Sequence, residues 1–314
     1  MTNLSRSIIK SPENIISSLI SEGLKFKNFS LESSGEFHID DVDWNYKDML
    51  HATYVHKLLD PAPIVVTDFT IAQIFFQKFL IFRFPFSIYQ YDSGPNQLAY
   101  FFTLFSFVFV VNTKFFTEDQ ITKVQTTYNI GSSPILLAIF FPLIKWSLSK
   151  NYRVLMSEDM PMRLRRGELR KMGANFKKPD GPYSFLKTIN INEENCEFFE
   201  DLFDAEISSS IEVLRSTQDR LPLEFLTGRS DAWGLRGVVE AGTLKIYPRL
   251  CTHEGACLDR TDTRGDVLYC PWHNKRIQPI VVEQYDQYLK LDFEYKNRRY
   301  KLSLAGTKLN LEVQ

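Results

Sequence analysis

The uncharged run Leu98-Ala99-Tyr100-Phe101-Phe102-Thr103-Leu104-Phe105-Ser106-Phe107-Val108-Phe109-Val110-Val111-Asn112-Thr113 forces a choice between a membrane helix and a buried sheet. It is sixteen residues long, shorter than the roughly twenty that a helix needs to cross a bilayer. Its Phe, Val, Tyr and Thr side chains suit the pleated surface of a strand. The run is therefore expected to form one long or two short buried strands. Pro134 to Ile144 is shorter still and carries Pro142, so no membrane span is expected.

Outward from this run, Ile64–Asp68, Phe82–Gln90 and Lys123–Tyr128 also read as strands, with a turn signal at Asp92-Ser93-Gly94-Pro95-Asn96. Ser11-Pro12 opens an amphipathic helix that stops at Gly23, and a second helix is expected over Trp44–Leu58. Pro161–Met172 and Glu193–Leu214 complete the helices. Sixteen of the 26 Phe residues lie between Phe69 and Phe141. Strands alternate faces, so a curved sheet this aromatic would line an apolar cavity as well as a core. From Thr227 onward, Gly234, Gly237, Gly242 and Pro248 bound short strands. The expected organisation is α+β over residues 1–226, followed by a small all-β domain over residues 227–314.

With 314 residues and 44% hydrophobic content the chain can bury a sizeable core. A net charge of -1 and a pI near 6.5 argue against nucleic acid as a partner. Met1 to Lys10 lacks the apolar segment of a secretory signal. Four cysteines in a chain of this length suit a reducing compartment, and a cytoplasmic location is expected.

Two of those cysteines stand in Cys251-Thr252-His253 and Cys270-Pro271-Trp272-His273, a C-x-H-x16-C-x-x-H arrangement. Tetrahedral zinc also takes two Cys and two His. Here, however, each loop supplies one of each, whereas zinc knuckles usually keep the cysteines together. Mixed loops suit an asymmetric [2Fe-2S] cluster, with Cys251 and Cys270 on one iron and His253 and His273 on the other. Gly255 would let the backbone approach the sulfurs, and Asn274 tolerates a left-handed conformation.

A second constellation is Asp48-x-x-His51-x4-His56. Two imidazoles and a carboxylate on one face of iron(II) form a facial triad with open positions. Residues i and i+5 do not share a helix face, so the helix must widen or end between His51 and His56. Arg163, Arg165, Arg166, Arg170 and Lys171 read either as a solvated face paired with acids or as a docking patch for an acidic redox partner.

Together these motifs resemble the Rieske non-heme iron oxygenases, in inverted domain order, since His51 precedes Cys251 by about two hundred residues. The resemblance implies a helix-grip-like catalytic domain joined to a small all-β Rieske domain. It implies mononuclear Fe(II) on His51, His56 and Asp159, with Glu158 as the alternative ligand and Asp48 bridging electron transfer from cluster to iron. Electrons would come from NAD(P)H indirectly, through an external reductase or ferredoxin. Oxygen from O2 would enter a hydrophobic, aromatic or polycyclic substrate, within a homo-oligomer such as a trimer. The alternative is a non-catalytic electron-transfer or apolar-ligand-binding protein.

Overall fold

The computed structural model describes residues 11–56, 61–66, 70–79, 82–172, 174, 176, 211–216, 222–227, 234–240, 243–251, 254–261, 263–264, 267–282, 290–295, 298–305 and 308–313. The described residues up to Gly167 form one unit, and those from Glu168 onward form a second.

The first unit opens with α1 (Pro12–Ser21), whose N-cap Ser11 accepts from the Asn14 N–H, as the Ser-Pro signal predicts. Seven antiparallel strands follow: β1 (Lys25–Gly35), β2 (Pro61–Val66), β3 (Thr70–Phe79), β4 (Phe82–Gly94), β5 (Gln97–Leu104), β6 (Phe107–Glu118) and β7 (Ile121–Ser132). Their order in the sheet is β1-β7-β6-β5-β4-β3-β2. The run from Leu98 becomes two strands, turning at Phe105-Ser106, where Phe105 takes φ 51°. Leu98, Ala99, Val110 and Thr113 within it are fully buried.

Between β1 and β2, the expected single helix over Trp44–Leu58 is instead two, α2 (Ile39–Lys47) and α3 (Met49–Val55). They are broken at Asp48, which caps the end of one and the start of the next. The helix expected to begin at Pro161 is the last part of α4 (Pro134–Lys171), 38 residues long with Pro142 and Pro161 inside it. Proline removes a backbone donor and normally ends a helix. Around Pro161 the buried Tyr152, Asp159, Met162 and Arg163 tie α4 to the rest of the unit, and packing overrides the local preference.

One core cluster packs Leu137 of α4, with Phe141, Ile144 and Leu148 beside it, onto Phe29, Phe109 and Ile130 of the sheet. Another gathers Phe37, Val42, Leu98, Phe115 and Val124, with Met160 against them. Gly167 lets α4 approach the β1–α2 connection closely. A Cβ there would lie 2.6 Å from the Glu36 carbonyl oxygen and 3.0 Å from Phe37 Cα. Because the obstacle is backbone, Gly167→Ala should destabilise the unit by about 1–3 kcal/mol despite alanine's better helix propensity. A denaturation midpoint no lower than the parent's would contradict this.

In the second unit a five-stranded sheet runs β15-β11-β10-β9-β8, from β8 (Ile211–Ser216), β9 (Pro222–Thr227), β10 (Leu235–Glu240), β11 (Thr243–Pro248) and β15 (Ile280–Val282). Two three-stranded sheets accompany it, β12 (Thr263–Arg264) with β13 (Val267–Tyr269) and β14 (Arg276–Ile277), and β16 (Lys290–Tyr295) with β17 (Arg298–Ala305) and β18 (Lys308–Val313). The expected division between residues 226 and 227 falls inside β9. The helix expected over Glu193–Leu214 is corrected at its end, where residues 211–214 belong to β8; its earlier part lies outside the described residues.

Candidate metal site and apolar cavity

The break at Asp48 and the end of α3 at Val55 arrange the first constellation. His51 lies within α3, while His56 is its C-cap residue in an extended conformation, φ -84° and ψ 122°. The helix therefore ends before His56, so two imidazoles five residues apart can turn toward one point. Their ring centroids are 5.0 Å apart at 68°.

From α4, Asp159 meets both rings. Its Oδ1 lies 3.3 Å from His51 Nε2 and 3.4 Å from His56 Nε2. One donor atom from each of the three residues falls within 4.8 Å of the others, close enough for one ion. The donor set fits a divalent transition metal. The remaining imidazole nitrogens face other carboxylates. Asp48 Oδ2 is 3.6 Å from His51 Nδ1, and Glu158 Oε2 is 3.0 Å from His56 Nδ1. Carboxylates on the far nitrogen are what orient metal-binding histidines. Glu158, the alternative ligand in the sequence reading, thus sits on the side of His56 away from Asp159. Asp159 itself lies inside α4, not ahead of a helix start.

Sequence reasoning assigned neither Asn45 nor Arg163 to this site. Asn45 Nδ2 donates to Asp159 Oδ1 at 3.4 Å, and Arg163 Nε donates to Asn45 Oδ1 at 2.8 Å. A second Arg163 nitrogen is 3.6 Å from Asp159 Oδ2, and the guanidinium lies 4.8 Å from the Tyr46 ring centroid. Arg166 pairs with Asp41 at 3.0 Å and stacks 3.9 Å from the Trp44 ring centroid. Arg163 and Arg166 are 0% and 3% exposed. The expected pairing with acids holds for both, but they are buried, so they form neither a solvated face nor a docking patch. The signal was present in sequence as the i, i+4 spacing of Asp159 and Arg163.

Burial alone would lower the His51 pKa, but the Asp159 and Asp48 carboxylates reverse this and push it up from 6.5 to about 10. Burial would likewise raise that of Asp159, yet His51, Arg163 and His56 hold it below the ordinary carboxylate value. In metal-free protein, His51 therefore adds stability that is complete below pH 6.5 and is lost as pH rises through about 10. Metal requires neutral imidazole, so binding at neutral pH should release a proton. Calorimetry in buffers of different ionisation enthalpy measures it; identical heats would contradict the protonated state.

The three groups line a cavity of about 340 Å³. Phe75, Phe86, Ile88, Phe102, Phe109 and Val111 of the sheet, with Ile144, Leu148 and Leu155 of α4, form its apolar wall. Tyr100, Tyr128, Thr113, Thr126, Gln73 and Gln90 add polar groups. Burial raises the Tyr128 pKa further above its ordinary value, so its hydroxyl stays protonated.

In the second unit, Cys251 and Cys270 stand in two loops with one hydrogen-bond pattern. The Cys251 N–H donates to the Ala256 carbonyl and its own carbonyl accepts from Gly255, both at 2.8 Å. The Cys270 N–H donates to the Lys275 carbonyl at 2.8 Å and its carbonyl accepts from Asn274 at 2.7 Å. Gly255 and Asn274 are both left-handed, φ 89° and 53°. A thiol-to-thiol hydrogen bond with Cys251 and burial push the Cys270 thiol well up, against backbone donors at Trp272 and His273 that favour its thiolate. Adjacent sulfurs and backbone N–H groups aimed at one of them suit a thiolate-bound metal centre. His273 is buried, and His253 lies outside the described residues, as does Cys196. Cys257 is exposed and free.

No family model matches this chain, and no curated protein matches it. Solved structures resemble its first part at low identity. The Zhui aromatase/cyclase from Streptomyces sp. R1128 has a TM-score of 0.40 at 10% identity, over 45% of this chain and 96% of its own. Norcoclaurine synthase from Thalictrum flavum, in complex with dopamine and hydroxybenzaldehyde, has a TM-score of 0.40 at 9% identity, over 50% and 94%. A START superfamily protein from Mycobacterium smegmatis has a TM-score of 0.37 at 9% identity, over 43% and 98%. The first unit, an antiparallel sheet with a long helix, is a helix-grip fold.

None of these neighbours is a Rieske oxygenase. The expected identity as a Rieske non-heme iron mono- or dioxygenase is corrected: what these likenesses carry is the helix-grip fold of the first unit alone. The activity that identity implied, oxygen insertion with electrons relayed through a cluster and Asp48 bridging them, is withdrawn. Among the described residues, no helix is long and apolar enough to cross a membrane.

Proposed function

We propose that the helix-grip unit binds an apolar small molecule beside a divalent metal ion held by His51, His56 and Asp159. The observation that carries this reading is one 340 Å³ cavity whose lining joins aromatic and aliphatic side chains to those three donors. Large apolar cavities with a few convergent polar groups are the usual form of small-molecule sites. When bound, the ion would act as a Lewis acid toward an oxygen of the ligand. Asp48 and Glu158 keep the imidazoles turned inward, while Arg163 and Asn45 hold the Asp159 carboxylate. The donor set favours ferrous iron as occupant. For the second unit the corresponding proposal is a [2Fe-2S] cluster on Cys251 and Cys270 with His253 and His273, with zinc as the competing occupant of such ligands.

The test is binding of N-phenyl-1-naphthylamine, an apolar fluorophore, to the full chain. Fluorescence should rise and saturate. Ser147→Trp, which fills the cavity from α4, should weaken binding at least about tenfold while leaving the unfolding temperature unchanged. Equal binding by parent and variant would overturn the cavity as the site.

A further inference from the structure

The first half of α4 faces outward with side chains that a water-exposed helix normally avoids. Ile135 is 73% exposed, Ile139 64%, Leu143 59% and Trp146 59%. At about 100° per residue these four positions share one side of the helix. Phe140, also exposed, meets the Phe107 ring edge-on at a 6.1 Å centroid distance. That contact carries the apolar surface to the β5–β6 turn, where Phe105 is 84% exposed. An exposed surface this continuous implies a partner.

Charge says which partner. From Ser133 to Ser157 the chain has three basic residues, Lys145, Lys150 and Arg153, and no acidic one. Lys150 and Arg153 continue the exposed face beyond Trp146, and Lys150 Nζ lies 5.5 Å from the Trp146 ring centroid. Lys145 and, from β1, Lys27 lie over the Phe29 and Phe141 rings at the same end of the sheet. Exposed aliphatic and aromatic side chains on a stretch of helix whose charges are all basic match an interface with an anionic bilayer, where apolar groups enter the headgroup region and the ammonium groups meet phosphate. A second copy of the chain would bring the same cations against themselves.

We propose that the N-terminal half of α4 and the β5–β6 turn dock the protein on the surface of an anionic membrane without crossing it. This rests on the exposed surface and its charge, and stands whether or not the cavity binds a ligand.

The experiment is co-sedimentation of the full chain with phosphatidylcholine vesicles containing or lacking phosphatidylserine. Binding should require the anionic lipid and weaken with salt. Ile139→Glu with Leu143→Glu, both at exposed positions, should lower the partition coefficient more than about tenfold with the unfolding temperature preserved. Lys145→Glu with Lys150→Glu should lower it by a similar factor. A chain that stays in the supernatant with anionic vesicles overturns the proposal, as does a double Glu variant that binds like the parent. A dimer in solution that Ile139→Glu with Leu143→Glu dissolves, without vesicle binding, assigns the face to a second copy instead.

Discussion

Replacing Asp159 by alanine should lower the affinity of the chain for ferrous or cobaltous ion at the helix-grip site by more than about a hundredfold. Substitutions that merely disturb the groups behind a metal's ligands already cost about 10–100-fold, and among the described residues Asp159 is the carboxylate within reach of both imidazole Nε2 atoms, at 3.3 and 3.4 Å. The measurement is titration with Co(II), whose visible absorption reports its ligands, on protein whose second-unit centre has first been quantified by metal and sulfide analysis. Glu158→Ala should weaken binding far less, because Glu158 meets the other nitrogen of His56. Equal losses in the two variants would sink the assignment of Asp159 as the shared carboxylate. Unaltered Co(II) binding in Asp159→Ala would sink the site.

Arg163→Met should be the most destabilising single change in the first unit, at about 3–5 kcal/mol. The guanidinium is fully buried and reaches both Asn45 and Asp159. Methionine fills much of the same volume but leaves the Asn45 oxygen and the Asp159 carboxylate without their cation, and stranded buried polar groups carry the full desolvation cost. An unfolding temperature lower by about 10 °C or more is expected. A change under about 1 kcal/mol would mean that the buried cation contributes no more than an apolar side chain of its size. Added metal should recover part of the loss by neutralising Asp159, which separates the electrostatic role of Arg163 from its packing.

The sheet was legible where composition was extreme. Sixteen uncharged residues rich in Phe and Val read as strand because no other element accommodates them at that length, and they form β5 and β6. β1 escaped notice because it is an edge strand paired only with β7, and its polar Lys25, Asn28, Ser30 and Ser34 blur the alternation. α4 was underestimated because Pro142 and Pro161 are stop signals locally, overridden by buried contacts no local rule can see. At the candidate site the ligating residue types were legible from spacing, since D-x-x-H-x4-H places all its groups near one helix end. The clamp of Asn45 and Arg163 was not, because it joins residues 118 positions apart in sequence. The family reading failed for a different reason. Motifs report a local donor set, and a donor set does not by itself fix the fold or the activity around it.

Cys251 and Cys270 of the second unit each head a tight loop. Their described hydrogen bonds match and each is turned by a left-handed residue four positions after the cysteine, yet they tolerate different chemistry at that position. A side chain at 255 would begin 2.6 Å from Leu169 Cδ1 and 3.3 Å from the Phe176 ring, so crowding as well as dihedral angle demands glycine there. Position 274 already carries asparagine at the same kind of angle. Position 255 is thus held to glycine by crowding as well as angle, whereas 274 already accepts a side chain, and sequence drift at the turn should accumulate at 274 while 255 stays still.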